Sequence, residues 1–257
     1  MVQRGVLRAP LSVKLEIIME DIIFGRGPVL EALKNSHPID KIIIKSGPYA
    51  KSLIPIIDEA KKKNIVIQQA DLSRLDRMAD GENHQGVVAM VSAYNYVSLN
   101  DITDGKENPF VIICDKITDP HNLGAIIRTA NCVGASGVII PKRESAGVNS
   151  VVMKTSAGAL EYTPVAKVTN LASAIDELKD KGFWVTAADM DGQSMYDIDF
   201  KGKVALVVGS EGKGVSRLVR EKCDFIAQIP MHGEINSLNA SVAAAVLMYE
   251  ALRQRNL

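Results

Sequence analysis

The sequence predicts an α/β protein with two domains, of which the C-terminal one is built around a parallel sheet. Apolar runs bounded by turn residues alternate with segments of helical spacing along most of the chain. The C-terminal runs are apolar throughout, which is typical of parallel strands covered on both faces. A polar stretch rich in Asn, Asp and Gly divides the two sets of elements and predicts a domain boundary.

The N-terminal elements begin after residues 1–18, which have no sustained apolar period and precede a second methionine, Met19. We interpret residues 1–18 as a flexible extension, or as residues upstream of the natural start. The domain that follows spans 19–92, a usual size for a small α/β unit. Its predicted elements are a helix entered through Pro28, helices over 53–63 and 72–78, and strands over 41–45, 65–67 and 87–91.

The C-terminal elements follow a polar linker over 93–109 and occupy 110–257. Strands and helices alternate in this domain, which favours a parallel sheet with helical crossovers. The predicted strands cover 110–114, 137–140, 183–187, 204–208 and 225–229. The predicted helices cover 123–133, 171–178, 215–221 and 238–253.

Composition narrows the class of protein. With 257 residues, 47% of them hydrophobic, the chain can bury ordinary cores. Lys plus Arg equal Asp plus Glu at 30 each, so an RNA site would have to be a local patch. The three cysteines are widely separated, and we expect buried, reduced thiols. No apolar run approaches the ~18 residues of a membrane span, and no signal peptide is evident. We therefore expect a cytoplasmic protein with no membrane association.

A first motif, Asp119-Pro-His-Asn-Leu-Gly, enters the helix predicted over 123–133. The apolar stripe of that helix leaves Arg128 to one side, where it can reach a cleft or solvent. A simply solvated arginine is the alternative. Asn122 is suited to cap the helix by accepting a hydrogen bond from a free N–H group.

A second motif, Gly209-Ser-Glu211-Gly-Lys-Gly214, follows a strand. Its spacing fits neither the P-loop nor the dinucleotide-binding glycine pattern. A glycine turn is the structural alternative. Glu211 is expected beside a helix N-terminus, where the helix dipole stabilises a carboxylate that can hold a ligand donor.

A third motif runs from Ile229 at a strand end to Ser237-Leu-Asn239-Ala-Ser241, which enters the long final helix. Ser and Asn are common helix caps, so each is weakly informative alone. All three motifs fall where strands give way to loops, the edge at which α/β sheets bind ligands. Nothing in the sequence resembles a Ser/His/Asp triad, a metal cluster or a paired-carboxylate site.

Together the three motifs resemble those of the SpoU (TrmH-like) family of RNA ribose 2′-O-methyltransferases, across residues 110–257. Residues 20–92 resemble the L30e-like RNA-binding domain that precedes the catalytic domain in the ribosomal-RNA branch. The marks of this domain are Phe24-Gly25 to Ala32-Leu33 and His84-Gln85-Gly86-Val87. The resemblance implies a SPOUT domain with a deep trefoil knot, S-adenosyl-L-methionine as methyl donor, and a homodimer.

The resemblance also implies roles for individual residues. The donor would lie against the backbone of Gly209, Ile229 and Leu238. Arg128 and Asn122 would face the substrate ribose. The side chains implied near the donor are Glu211, Ser237, Asn239 and Ser241, of which Glu211 and Asn239 also count as catalytic. No metal is required when a ribose 2′-hydroxyl displaces the donor's methyl group. Arg128 is permanently protonated, so we assign it to phosphate and alkoxide stabilisation, with a general-base role as the alternative.

The implied substrate is a guanosine ribose in large-subunit (23S) rRNA, either free or in an assembling particle. One alternative is a tRNA ribose, which the N-terminal domain disfavours because simple tRNA enzymes of the family generally lack it. Another is a catalytically silent RNA-binding or ribosome-assembly protein, since fold does not establish function. The presence of Asn122, Arg128, Glu211 and Asn239 argues against this alternative.

Overall fold

Two separate sheets organise the chain in the computed structural model, which describes residues 21–35, 39–48, 51–91, 94–234 and 237–256. The predicted extension over 1–18 lies outside the described residues. The first sheet has the strand order β1-β4-β2-β3. Its elements are β1 (Asp21–Phe24), α1 (Arg26–Lys34), β2 (Ile39–Lys45), α2 (Ile54–Lys62), β3 (Val66–Ala70), α3 (Leu72–Met78) and β4 (Val87–Val91).

This first sheet is mixed, because β2 pairs with β3 in parallel and with β4 in antiparallel fashion. Successive side chains of a strand point to opposite faces. Ile42 and Ile44 accordingly pack in one core with residues of α1 and α2, whereas Ile43 packs with Leu75 of α3 in a second core. The uninterrupted apolar run of β2 is thus buried on both faces.

The second sheet has six strands in the order β10-β8-β9-β5-β6-β7, and every neighbouring pair is parallel. This confirms the predicted α/β fold with a parallel sheet. Its strands are β5 (Phe110–Asp115), β6 (Gly137–Pro141), β7 (Val165–Val168), β8 (Trp184–Ser194), β9 (Val204–Gly209) and β10 (Phe225–Gln228). Its helices are α4 (Leu99–Thr103), α5 (Pro120–Cys132), α6 (Ser150–Thr155), α7 (Leu171–Asp180), α8 (Arg217–Lys222) and α9 (Ala240–Arg255).

Helices cover both faces of this sheet. Ile112 of β5 packs in one core with residues of α5 and α9, and its neighbours Val111 and Ile113 pack in another with residues of α7. Both faces of the central strands are therefore dry, as their apolar composition predicts. Strand pairing does not by itself establish a knot, so the trefoil knot stays a prediction.

The segment predicted as a linker, 93–109, contains α4. Leu99 and Ile102 of α4 are buried in the core of the second sheet, and Val97 forms a bridge with Ala166 of β7. Tyr94, the first described residue after β4, also contacts this sheet, because its hydroxyl accepts a hydrogen bond from Val165 N of β7 at 2.9 Å. Part of the polar stretch therefore packs with the C-terminal sheet.

The cysteines differ in exposure. Cys114 on β5 is buried, and burial raises the pKa of its thiol to about 12. Cys223 is partly buried. Cys132 is exposed at the last residue of α5, so the prediction that all three thiols are buried is wrong for this one. Its helix position, next to the apolar stripe, turns it outward.

Candidate functional site

A cavity of about 640 Å³ lies at the carboxyl ends of β8, β9 and β10, beside the start of α9. This is the edge at which open α/β sheets bind ligands, and the volume is ordinary for a small-molecule site. Five of the residues predicted to bind a cofactor line it, namely Gly209, Glu211, Ile229, Ser237 and Leu238.

The second motif forms a closed turn in the wall of this cavity. Ser210 N donates to Gly214 O at 3.2 Å, and Gly214 N donates to Ser210 O at 2.9 Å. A Cβ atom on Gly209 would overlap the backbone of Gly214, and Gly214 itself has a φ of +63°. Glycine at both ends is required because the chain folds back on itself here. The loop therefore presents its backbone groups to the cavity. It does not form the open glycine-rich loop that binds phosphate in nucleotide-binding proteins.

One carboxylate oxygen joins the three motifs. Glu211 Oε1 accepts a hydrogen bond from Asn122 Nδ2 at 2.9 Å and another from Asn239 Nδ2. Asn122 is only 7% exposed, so the first bond satisfies a buried amide. The structure thus brings together Asn122, Glu211 and Asn239, which the sequence analysis assigned to one site.

Asn239 has a second task as the N-cap of α9. Its Oδ1 accepts hydrogen bonds from Ser241 N at 2.9 Å and Val242 N at 3.3 Å. The Ser241 hydroxyl donates to the same oxygen at 2.6 Å. The cap fixes the side chain, so that its amide nitrogen points to Glu211. Ser241 thus supports the cap and does not line the cavity.

The prediction that Asn122 caps the helix of the first motif is wrong. Asp119 is the N-cap, and its side chain accepts a hydrogen bond from His121 N at 2.9 Å. Pro120 occupies the first helical position, where its missing N–H is harmless. The helix therefore begins three residues earlier than predicted, and Asn122 lies inside its first turn with its side chain free to donate.

Arg128 lies on the exposed face of α5, away from the residues that line the cavity. The buried face of the same helix carries Leu123, Ile126, Ile127 and Ala130. In the described part of the chain, the guanidinium makes no hydrogen bond or ion pair. It is available to a ligand that approaches from solvent.

Sequence reasoning missed two carboxylates at this edge. Asp115, at the end of β5, is 2% exposed, and its Oδ2 accepts a hydrogen bond from Ser216 N at 2.6 Å, at the start of α8. The carboxylate at that helix N-terminus is thus Asp115, whereas Glu211 was expected there. Asp189 lines the cavity beside the end of β9. Each is the first acidic residue after a buried apolar run, a signal that could have identified both.

The cavity suits a molecule with an apolar ring and a positive charge. Ile229, Met231 and Leu238 provide apolar surface, while the Asp189 and Glu211 side chains provide negative charge. S-adenosylmethionine combines an adenine ring with a cationic sulfur, so these residues fit it. Across the described residues, no group of three His, Cys, Asp or Glu side chains is arranged to hold a metal ion. The helices described also include none with the length and apolar character needed to cross a membrane.

Comparison with known families gives two matches. Residues 109–249 match the SpoU rRNA Methylase family, and residues 22–97 match the RNA 2′-O ribose methyltransferase substrate-binding domain. Among curated relatives, a Bacillus subtilis (strain 168) protein whose name places it in the TrmH family of tRNA/rRNA methyltransferases is 46% identical over 92% of this chain and 96% of its own. A Staphylococcus aureus (strain COL) protein named in the same way is 46% identical over 93% and 98%.

Solved structures of methyltransferases also resemble this chain. The SpoU methyltransferase AviRb from Streptomyces viridochromogenes, in complex with the cofactor AdoMet, is 26% identical, with a TM-score of 0.59 over 91% of this chain and 89% of its own. An AdoMet-bound rRNA methyltransferase from Sinorhizobium meliloti is 25% identical, with a TM-score of 0.58 over 90% and 86%. The A. aeolicus TrmH/SpoU tRNA modifying enzyme is 30% identical, with a TM-score of 0.54 over 62% and 81%.

Proposed function

Because this chain belongs to the SpoU family of RNA methyltransferases, which use S-adenosylmethionine, we propose that it methylates the ribose 2′-hydroxyl of a guanosine in 23S rRNA. The observation that carries the proposal is the Glu211 oxygen, which gathers Asn122 and Asn239 at the rim of the cavity. The cluster joins side chains from all three motifs beside the cavity. It suits a reaction centre between a donor and an RNA strand.

The donor would occupy the cavity against the backbone of Gly209, Ile229 and Leu238, with Ser237 beside it. When bound, S-adenosylmethionine supplies a methyl group on a cationic sulfur. The residues of the chain bind the donor and orient it. Glu211 holds the amides of Asn122 and Asn239 in fixed positions, and the apolar wall excludes water. Ser241 contributes through the cap of α9.

Arg128 is proposed to act on the RNA side. Its guanidinium is permanently charged and carries a planar fork of donors, which matches a phosphate group. Its exposure on α5 leaves it accessible to the strand. There it would hold the phosphate beside the reacting ribose and stabilise the alkoxide that develops at the 2′-oxygen. Removal of one such donor commonly costs ~10²–10³ in rate.

The choice of rRNA over tRNA rests on the first domain. Residues 22–97 match a substrate-binding domain, and the S. meliloti rRNA methyltransferase aligns with 90% of this chain. The A. aeolicus tRNA modifying enzyme aligns with only 62%. An RNA of the ribosome, free or in an assembling particle, is the proposed partner, and the cytoplasm is the proposed compartment.

We also propose a homodimer. On α9, Val242 and Tyr249 are 47% and 52% exposed, on a different face from the fully buried Leu247 and Met248. Val246, between them on the helix, packs against the core, so the exposed apolar surface consists of these two side chains, which suit a partner surface. Light scattering should report a dimer at micromolar concentration, and Tyr249→Asp should weaken it. A monomeric wild-type protein would remove the dimer from this account.

The test of function uses RNA that has not been modified by this enzyme. Ribosomal RNA and tRNA from a strain lacking the gene would each be incubated with the full chain and S-adenosylmethionine labelled on the methyl group. We expect label in 23S rRNA, at a 2′-O-methylguanosine identified by nuclease digestion and mass spectrometry. Label confined to tRNA would support the alternative substrate. Donor binding without transfer to either RNA, or to ribosomal particles, would favour the silent RNA-binding protein.

A further inference from the structure

The cavity wall contains a carboxylate that the proposed chemistry leaves without a role. Asp189 belongs to a part of β8 that leaves the sheet, because the partner of β8 in β10 jumps from Ala187, opposite Ile226, to Gln193, opposite Ala227. A Cβ atom on Gly192 would overlap the Ile226 carbonyl oxygen. Glycine thus lets the strand return close to β10 after the excursion. The bulge over 188–192 places Asp189 in the cavity.

The Asp189 side chain is held in place by the neighbouring backbone and by Arg220, which does not line the cavity. Its Oδ1 accepts a hydrogen bond from Met190 N at 2.7 Å. Its Oδ2 lies 3.3 Å from Arg220 Nε of α8, and the same guanidinium donates from Nη2 to Asp191 at 2.6 Å. Arg220 Nε is buried and not aligned to donate a hydrogen bond to any described residue. Asp189 Oδ2 therefore has an ionic neighbour but accepts no hydrogen bond from the described part of the chain.

A carboxylate can accept about four hydrogen bonds, so Asp189 retains acceptors for a ligand. The other carboxylate among the described lining residues, Glu211, already accepts two hydrogen bonds at Oε1. Arg220 lies beside both Asp189 and Asp191, so its positive charge offsets that of Asp189 only in part. The open acceptors of its two oxygens suit a ligand that presents two adjacent hydrogen-bond donors.

From these contacts we infer that Asp189 recognises the vicinal ribose hydroxyls of the methyl donor. It is a specificity-determining residue for the adenosine half of the donor. This inference rests on the proposed use of S-adenosylmethionine. It assigns Arg220, together with Gly192, which lets β8 return to β10, to positioning that carboxylate for the ribose hydroxyls of the cofactor.

The test measures binding to the full chain by calorimetry. The probes are S-adenosylhomocysteine, 5′-methylthioadenosine, which lacks the amino acid, and the 2′,3′-dideoxy form of methylthioadenosine. Asp189→Asn should weaken the first two about tenfold or more, the usual effect of losing hydrogen bonds to a charged group. It should leave the dideoxy probe within about threefold, because that probe has no hydroxyls to lose.

Asp191→Asn is the matched control, since Asp191 contacts the same Arg220 but does not line the cavity. It should bind every probe within about threefold of wild type. Equal weakening in both variants would assign the effect to Arg220 and overturn the inference. Weakening of S-adenosylhomocysteine alone would assign Asp189 to the amino-acid ammonium, which also overturns it.

The wild-type chain provides an independent arm if Asp189→Asn fails to fold. The inference requires that it bind methylthioadenosine at least about tenfold more tightly than the dideoxy probe. Equal affinities would refute hydroxyl recognition and leave the proposed function intact. Failure of the wild type to bind S-adenosylhomocysteine at all would instead refute the proposed cofactor, so the two failures are distinguishable.

Discussion

Glu211 should stabilise the C-terminal domain through its two amide partners. In Glu211→Ala the Asn122 amide, in a residue only 7% exposed, loses its acceptor. An unsatisfied buried donor costs about 1–3 kcal/mol. Asn239 is exposed, so water can replace its lost bond at little cost. We therefore expect Glu211→Ala to lower the free energy of unfolding by about 1–3 kcal/mol.

Glu211→Gln keeps a side-chain oxygen that can accept from both amides and loses only the charge. Its destabilisation should be about 1 kcal/mol or less, in line with neutral hydrogen bonds. The matched control is Glu221→Ala on α8, where an exposed pair with Arg217 contributes at most about 0.5 kcal/mol. Equilibrium urea unfolding, followed at the transition of the C-terminal domain, measures all three. The reasoning fails if Ala and Gln are equally destabilising, or if Ala matches the Glu221 control.

Three further predictions concern the division of labour. Arg128→Ala should keep donor affinity within about threefold, while single-turnover methylation of an rRNA fragment falls by at least ~10². Arg128→Lys should restore part of the rate, because it keeps the charge but loses the planar fork. Near wild-type rates for the Ala variant would show that Arg128 is merely solvated. A chain that starts at Met19 should methylate within a few-fold of the full chain, and a larger loss would contradict the dispensability of 1–18. A fragment over 94–257, cut before the segment that packs on the second sheet, should bind S-adenosylhomocysteine nearly as tightly as the whole chain but methylate rRNA poorly; loss of binding by calorimetry would contradict this.

Periodicity predicted the elements that bury a large apolar face and missed several of the short ones. The strands of the second sheet that cross the core, such as β5 and β9, are uninterrupted apolar runs. In contrast, β7 at the sheet edge has four residues, one of them Lys167, and α6 has six. Elements this short contain little periodic signal. The helix α4 was hidden in a polar segment because only Leu99, Ile102 and Thr103 are buried.

Within the candidate site, the sequence predicted that the three motifs meet, but it did not predict which side chains contact each other. Asn122 was predicted as a cap because Asn is a good cap, yet Asp119 three residues earlier serves better ahead of Pro120. The partner of Asn122 is Glu211, which lies 89 residues away in the chain. No local pattern reports a contact of that range. A local signal marks the positions of Asp115 and Asp189 after apolar runs, but their contacts with α8 also depend on long-range packing.

The donor side and the RNA side of the proposed reaction differ in how much of the fold each requires. Glu211 needs the start of α5, the loop after β9 and the cap of α9 together, because one oxygen receives both amides. The proposed donor site therefore forms only when these distant segments of the domain have packed together. Arg128 needs only an exposed turn of α5, and it adds no described contact to that site. Substitutions on the outer face of α5 can thus change how RNA is held while the donor site stays intact, whereas removal of the Glu211 side chain breaks the contacts that join the three motifs.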